Sequence, residues 1–356
     1  MTLRLAGRGG EAATVALDTG HICDLRLNGI APLHRAPWLD EAEVQDDPSI
    51  PLVERRLQGD FFCAPFGKSD LIDAPIHGMS ANSPWDLIAE TGDAAHLRLC
   101  APVMGARIDK HIALRGGALF QTHRISGGVG ALPVAHHPMV RMAAGGRLSF
   151  SPKAGIVTQD APLEVGRNWL QYPAEGRDAR SFPGADGPVD LTAYPEESGH
   201  EDFVTLIEAP GVRLGWTAIA RKAERDLIVI AKDPRSLPVT MLWFSNGGRD
   251  YSPWNGRHIG VLGVEDGCTA GAAGHRAAAA VNAISAYSVR TALTLRDGDT
   301  HETRHAIYAV ELHDATALVM DVFVQEQSLC ARFEDGTERR LGPAPDWVLH
   351  PHPANS

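Results

Sequence analysis

The sequence predicts an all-β protein, a large antiparallel β-sandwich in one domain. Three observations carry this reading. Turn dipeptides recur along the chain, at Asn28-Gly29, Asp186-Gly187, Asn246-Gly247, Asn255-Gly256, Asp266-Gly267, Asp297-Gly298 and Asp335-Gly336. Such pairs supply the positive φ that hairpin turns need. Between them lie short runs that alternate apolar and polar residues, as half-buried strands do. Helical periodicity is scarce: the one candidate, GAAGHRAAAAVNAISA (271–286), has no clear apolar stripe. At 356 residues, 44% hydrophobic and 22% charged, the chain can bury a sizeable core, and all-β sandwiches of this length occur as single domains.

Taken in order, the start MTLRLAGRGGEAATVAL holds no apolar run long enough for a signal peptide. No stretch approaches the roughly 18 apolar residues of a membrane span. The five cysteines, Cys23, Cys63, Cys100, Cys268 and Cys330, are dispersed and odd in number, with no CxxC. Reduced thiols in a cytoplasmic protein are the expectation. The balance of 33 basic against 44 acidic residues, a net charge of −11, argues against nucleic acid or an anionic membrane as the partner.

Residues 59–87, GDFFCAPFGKSDLIDAPIHGMSANSPWDL, read as a strand and a loop closed by Pro84-Trp85. ALPVAHHPMV (131–140) reads as a strand ending in a histidine pair. The stretch 171–202, rich in Pro, Gly and charge, reads as one long loop, and such loops tend to be functional or disordered. Residues 242–270 read as two strands around a Gly-rich loop. SVRTALTLRDGD (288–299) alternates ahead of its turn, LCARFEDGTERRL (329–341) reads as a hairpin around Asp335-Gly336, and residues 347–356 are expected to fray.

HETRH (301–305) matches the zinc-protease pattern, which requires both histidines on one helical face. Here it runs into the β-favouring HAIYAVEL. On a strand, His301 and His305 share a face but stand too far apart for one zinc ion, so a solvated strand at a sheet edge is expected. His123, His136 and His137 suggest a cluster but lack an acidic partner and HxH spacing. With no GxxxxGK[ST], no GxSxG and no GxGxxG after a strand, neither metal nor cofactor is expected.

The stretch 59–87 resembles the aldose 1-epimerase (galactose mutarotase-like) superfamily, in particular its hexose-6-phosphate mutarotase-like branch. That branch carries Gly-x-Pro-x-Cys-x-Pro-Trp-Phe-Gly, then Ala-His-Gly-Phe-Ala-Arg-Asn-x-Pro-Trp. Gly59, Cys63, Pro65, Phe66, Gly67, His77, Gly78, Asn82, Pro84 and Trp85 stand at matching positions. His137-Pro138 and LWFSNGGRDYSPWNGRHIGVLGVEDGCTA (242–270), with Glu265 inside GVEDG, resemble two further family stretches in the right order. The resemblance spans residues 15 to 345.

The resemblance implies the mutarotase supersandwich and an isomerase that interconverts the α and β anomers of a sugar by opening its ring, with no cofactor. Glu265 is the implied base at the C1 hydroxyl and His137 the acid at the ring oxygen, on opposite sides of the sugar. His136 is the alternative acid, because a one-residue shift in register exchanges the two across the sheet. His77 is implied near the ring oxygen. The implied substrate-binding residues are Asn82, Asp202, Trp243, Arg249 and Arg257; Asp202 is nominated as the family's substrate-binding aspartate. Trp243 and Trp254 offer aromatic planes to a sugar face, and the arginines a fork for an anionic substituent.

One departure bears on the substrate. Ala81 replaces the arginine that helps the phosphate-using branch hold its phosphate, and Lys68, Arg249 and Arg257 are the basic residues that could substitute for it. A non-phosphorylated aldose is therefore expected, with an acidic sugar as runner-up and a homodimer left open. The readings from other classes are a non-catalytic carbohydrate-binding protein, and a lyase or hydrolase, which needs paired carboxylates or a Tyr base.

Overall fold

The structure is a computed structural model that describes residues 1–312 and 317–350. Two eight-stranded antiparallel sheets dominate it. The first runs in the order Glu175–Gly176, Lys153–Val157, His200–Glu208, Val239–Asn246, Val261–Cys268, Val134–His136 and Phe62–Cys63, with Met139–Arg141 also paired to Val261–Cys268. The second runs Gly146–Phe150, Gly215–Arg221, Asp226–Lys232, Thr300–Glu311, Ala118–Gly127, Ala106–Arg115, Ala94–Leu99 and Trp85–Thr91.

Alternation along the strands assigns each face. Leu242, Phe244, Leu262 and Val264 of the first sheet meet Ile219, Ile228, Ile230 and Ile307 of the second in one continuous core. The opposite face of the first sheet carries Phe203, Met241, Trp243 and Val261 under a cover that includes Trp38, Val53, Leu57 and Trp254. The opposite face of the second sheet is covered by a three-stranded sheet, Val319–Gln325, Ser328–Phe333 and Glu338–Pro343. A further sheet, Thr2–Ala6, Ala12–Ala16 and Ile22–Arg26, joins the central core through Leu3, Val15 and Leu25.

The Asp335-Gly336 hairpin forms as expected. Asp266-Gly267 does not turn; it lies inside the strand Val261–Cys268, and Gly267 serves packing. The Ala-rich candidate yields only short turns, including His275–Ala278. The long loop is interrupted by a hairpin, Phe182–Gly184 with Gly187–Val189, and ends where a strand begins at His200. The tail is ordered further than expected: Asp346–Leu349 forms a helical turn with Trp347 buried, while 351–356 lie outside the described residues. Among the described residues no helix is long and apolar enough to cross a membrane.

Candidate active site

Glu265 projects from the cover-side face of the first sheet, opposite Met241 on the adjacent strand. Its sequence setting, GVEDG, explains how a carboxylate fits there. Gly263 and Gly267 are its neighbours on the same face, two residues away in each direction. A Cβ at Gly263 would fall 2.8 Å from Glu265 Oε1 and 3.0 Å from Trp243 Cβ, and one at Gly267 would fall 2.9 Å from the Val134 carbonyl oxygen. Gly263 provides the space for the carboxylate, and Gly267 lets the neighbouring strand approach.

His137 leaves the end of the strand Val134–His136 on the same face. Its backbone N–H donates to the Phe61 carbonyl at 2.9 Å and to Asp60 Oδ1 at 3.2 Å. Phe61 stacks on its ring with centroids 4.4 Å apart, and His21 stacks on Phe61 at 4.6 Å. Nε2 of His137 then lies 3.2 Å from Glu265 Oε1. The two side chains are almost fully buried, with residue exposures of 3% and 1%.

Burial drives their proton affinities in opposite directions, because it disfavours each charged form. It holds the Glu265 carboxyl well above the ordinary carboxylate range, with Arg249 opposing weakly. It holds the His137 imidazole well below the ordinary histidine range, helped by neighbouring His77. The pair therefore carries one proton and no net charge.

His77 stands edge-on to His137, ring centroids 5.1 Å apart. The loop presents it through a local backbone device: His77 has φ +63° and Gly78 φ +72°. A Cβ on Gly78 would lie 1.9 Å from the Ala64 carbonyl oxygen, so only glycine fits. The Gly67 N–H donates to His77 Nδ1 at 3.4 Å, which leaves Nε2 as the proton-bearing nitrogen of the neutral ring. Burial, with Arg249 and His21, lowers the His77 pKa to about 3. His77 is thus a neutral N–H donor.

These three residues share a cleft of about 170 Å³ with Trp243, Trp254, Arg249, Phe66 and Lys68 in its lining. Arg249 lies over the Trp254 ring at 4.3 Å and the Trp243 ring at 5.5 Å. Its Nε lies 3.2 Å from Glu201 Oε1 and 3.4 Å from Glu164 Oε1.

Of the residues nominated from sequence, the structure gathers Glu265, His137, His77, Trp243 and Arg249 at this cleft, and Trp254 with them. His136 takes the opposite face, between the sheets, where its ring stacks on His305 at 4.3 Å. The remaining three nominees have other partners. Asn82 ties its own loop together, accepting from Val53 N–H and donating to the Ile76 and Gly78 carbonyls. Arg257 forms a two-pronged pair with Glu41. Asp202 is fully buried and accepts from the backbone N–H groups of Trp169 and Leu170 and from the Tyr172 hydroxyl; it faces the interior and binds the long loop to the sheet.

The residue that reaches toward the cleft from that strand is Glu201, one position earlier. It accepts from Trp243 Nε1 at 2.7 Å and Ser245 Oγ at 3.0 Å beneath Arg249. Burial outweighs these partners and pushes its pKa up to about 7. Glu54, a cleft residue from the cover, also went unnominated; burial raises its carboxyl as well. Glu265 and His137 were expected on opposite sides of a sugar, and their side chains are 3.2 Å apart. They stand side by side.

No known family profile matches the sequence, and no curated protein does. Solved structures do match in shape. A provisional aldose 1-epimerase of Escherichia coli K12 superposes with TM-score 0.61 at 15% identity, covering 88% of this chain and 99% of that one. An aldose epimerase homologue from C. elegans gives 0.58 at 13% identity, over 88% and 99%. The galactose 1-epimerase of Lactobacillus acidophilus NCFM gives 0.51 at 12% identity, over 88% and 95%. The chain has the galactose mutarotase-like fold. At these identities the likeness concerns architecture, and the chemistry is argued from the chain's own residues.

Proposed function

We propose that this protein is an aldose mutarotase acting on a non-phosphorylated sugar. The observation that carries the reading is the buried His137–Glu265 pair, 3.2 Å apart at the floor of the aromatic cleft. Mutarotation removes a proton from the C1 hydroxyl and delivers one to the ring oxygen. Both oxygens are bonded to the same carbon, so adjacent acid and base groups reach them from one side.

The pair's single proton suits this exchange. Moving it from Glu265 to His137 creates a carboxylate base and an imidazolium acid together, with no net charge entering the cleft. Glu265 then takes the hydroxyl proton while His137 protonates the ring oxygen, and closure on the other face of C1 reverses the roles. The neutral N–H of His77 is placed to hold a sugar oxygen near the pair. Trp243 and Trp254 add apolar surface to the lining of the cleft.

A non-catalytic carbohydrate-binding protein would have no use for two buried groups whose proton affinities are opposed. The acidic-sugar reading loses support from the placement of its two arginines: Arg257 is held by Glu41, and Arg249 by Glu201 and Glu164. The test is magnetisation exchange between anomers by NMR, with glucose and galactose as probes, measured against the spontaneous rate. Catalysed exchange supports the proposal; binding of these sugars without exchange leaves the carbohydrate-binding reading instead.

A further inference from the structure

We propose that Asp60, His136 and His305 form a binding site for one divalent transition-metal ion of the zinc type, lying between the two large sheets directly behind the cleft. One ligand atom from each residue lies within 4.8 Å of the others. All three residues are fully buried. They come from three separate parts of the chain: Asp60 ahead of the strand Phe62–Cys63, His136 from Val134–His136, and His305 from Thr300–Glu311.

A second observation points to an occupant. Neither ring nitrogen of His136 has a hydrogen-bond partner, and the same holds for Nδ1 of His305 and for both nitrogens of His123, whose ring centroid lies 4.8 Å from that of His136. All three rings are completely buried. A buried polar group left unpaired costs about 1–3 kcal/mol, so five such nitrogens in one place call for a ligand or ordered water.

The surroundings match what metal-bound residues usually have. Asp60 is oriented from both oxygens, by Gln121 Nε2 at Oδ2 and by the His137 N–H at Oδ1. His305 Nε2 lies 3.3 Å from Asp266 Oδ2, a carboxylate behind a histidine of the kind that orients metal-bound imidazoles. Two imidazoles and a carboxylate suit zinc and its first-row neighbours. The opposing charge is Lys110, whose Nζ donates to the Gly20 carbonyl.

Closing the site requires motion. Ligand atoms around a tetrahedral zinc stand roughly 3.3 Å apart, from metal–nitrogen distances near 2.05 Å. The His136 and His305 rings are stacked nearly parallel, 9° apart, so one must turn about its side-chain torsions to share an ion, and His123 is the fourth donor within reach. An ion here would tie the strand that ends beside His137 and the segment before Phe62–Cys63 to the strand Thr300–Glu311 of the second sheet. The site revises the expectation of no metal: the acidic partner absent from the local histidine cluster is Asp60, and the third ligand is the last histidine of HETRH, on a strand but buried rather than solvated.

The test uses the full chain without an affinity tag, stripped with chelator and then titrated with Zn²⁺ or Co²⁺. After gel filtration we expect about one zinc per chain, cobalt d–d absorption of a low-symmetry site, and a thermal midpoint that rises with zinc and falls again on chelation. His305→Gln and Asp60→Asn, checked for fold by circular dichroism, should each weaken binding by roughly 100-fold. No retained ion and no shift in midpoint for the wild type would overturn the site and leave the pocket to water. Binding unchanged in both variants would place the ion elsewhere and overturn it equally. None of these readouts involves a sugar, so the outcome is independent of the proposed mutarotase activity.

Discussion

Nε2 of His137 and Oε1 of Glu265 stand 3.2 Å apart in a position nearly closed to solvent. The strand contributing Glu265 pairs both with the strand that precedes His137 and with the strand that follows it. The sheet ladder therefore sets the spacing of the two groups, and neither depends on a mobile loop.

The first prediction concerns pH. Activity requires the pair to hold one proton. A second proton arrives only below the lowered pKa of His137, and the last one leaves only above the raised pKa of Glu265. The profile of kcat/KM should thus stay flat through pH 6.5, where an ordinary imidazole titrates. A limb near 6.5 would contradict the assignment. Repeating the profile with Glu201→Gln separates any contribution from Glu201, which titrates at about 7 beneath Arg249.

Gly263→Ala should damage catalysis without dismantling the fold. The new Cβ would meet Glu265 Oε1 at 2.8 Å and Trp243 Cβ at 3.0 Å, and the carboxylate must move. Misplacing a catalytic group by about 1 Å can cost roughly 10²-fold in rate, while overpacking costs about 1–3 kcal/mol of stability. Steady-state kinetics and thermal unfolding together check this. An unchanged kcat would show that Glu265 tolerates displacement and is not the base.

Glu201 links the cleft to stability. Its carboxyl keeps its proton in the folded protein up to about pH 7, whereas the unfolded chain loses it near 4.5. Across that window the unfolded state binds fewer protons, so folding stability falls as pH rises. Glu201→Gln removes the penalty. Relative to the wild type it should gain stability between pH 5 and pH 8, by on the order of 3 kcal/mol for a shift of about 2.5 units. Urea unfolding at both pH values measures the difference, and a constant offset would refute it.

The cleft should favour neutral sugars. Ala81 is buried in the turn Met79–Ala81 and brings no charge, and Arg249 and Arg257 both lie beside carboxylates. Lys68 is the exposed cation of the lining. Glucose or galactose should exchange faster than glucose 6-phosphate, each relative to its spontaneous rate. A clear preference for the phosphate, lost in Lys68→Met, would reverse this conclusion and assign phosphate binding to Lys68.

Much of the site was legible because its signals are local. A histidine before glycine, a His-His-Pro strand end and a glutamate between glycines each occupy a few adjacent residues, and the structure brings all three to one cleft. Errors arose where a single residue of register decides the face. Asp202 and Glu201 differ by one step on a strand and therefore point to opposite sides. Asp266-Gly267 carries a turn signature, yet it lies inside a strand, where the glycine leaves room for the Val134 carbonyl of the neighbouring strand. The cover residues Val53, Glu54 and Leu57, and the grouping of Asp60, His136 and His305, depend on contacts between segments far apart in the chain, which no local pattern encodes.

The central claim is that Glu265 is the base and His137 the acid of anomer exchange. The direct measurement is the NMR exchange rate for the wild type, Glu265→Gln and His137→Asn, with sugar affinity measured alongside. Glu265→Gln preserves shape but cannot take a proton at neutral pH, so exchange should fall by about 10²–10⁴ while binding is largely kept, and His137→Asn should be similarly impaired. Near-native exchange in Glu265→Gln, with the sugar still bound, would contradict the account.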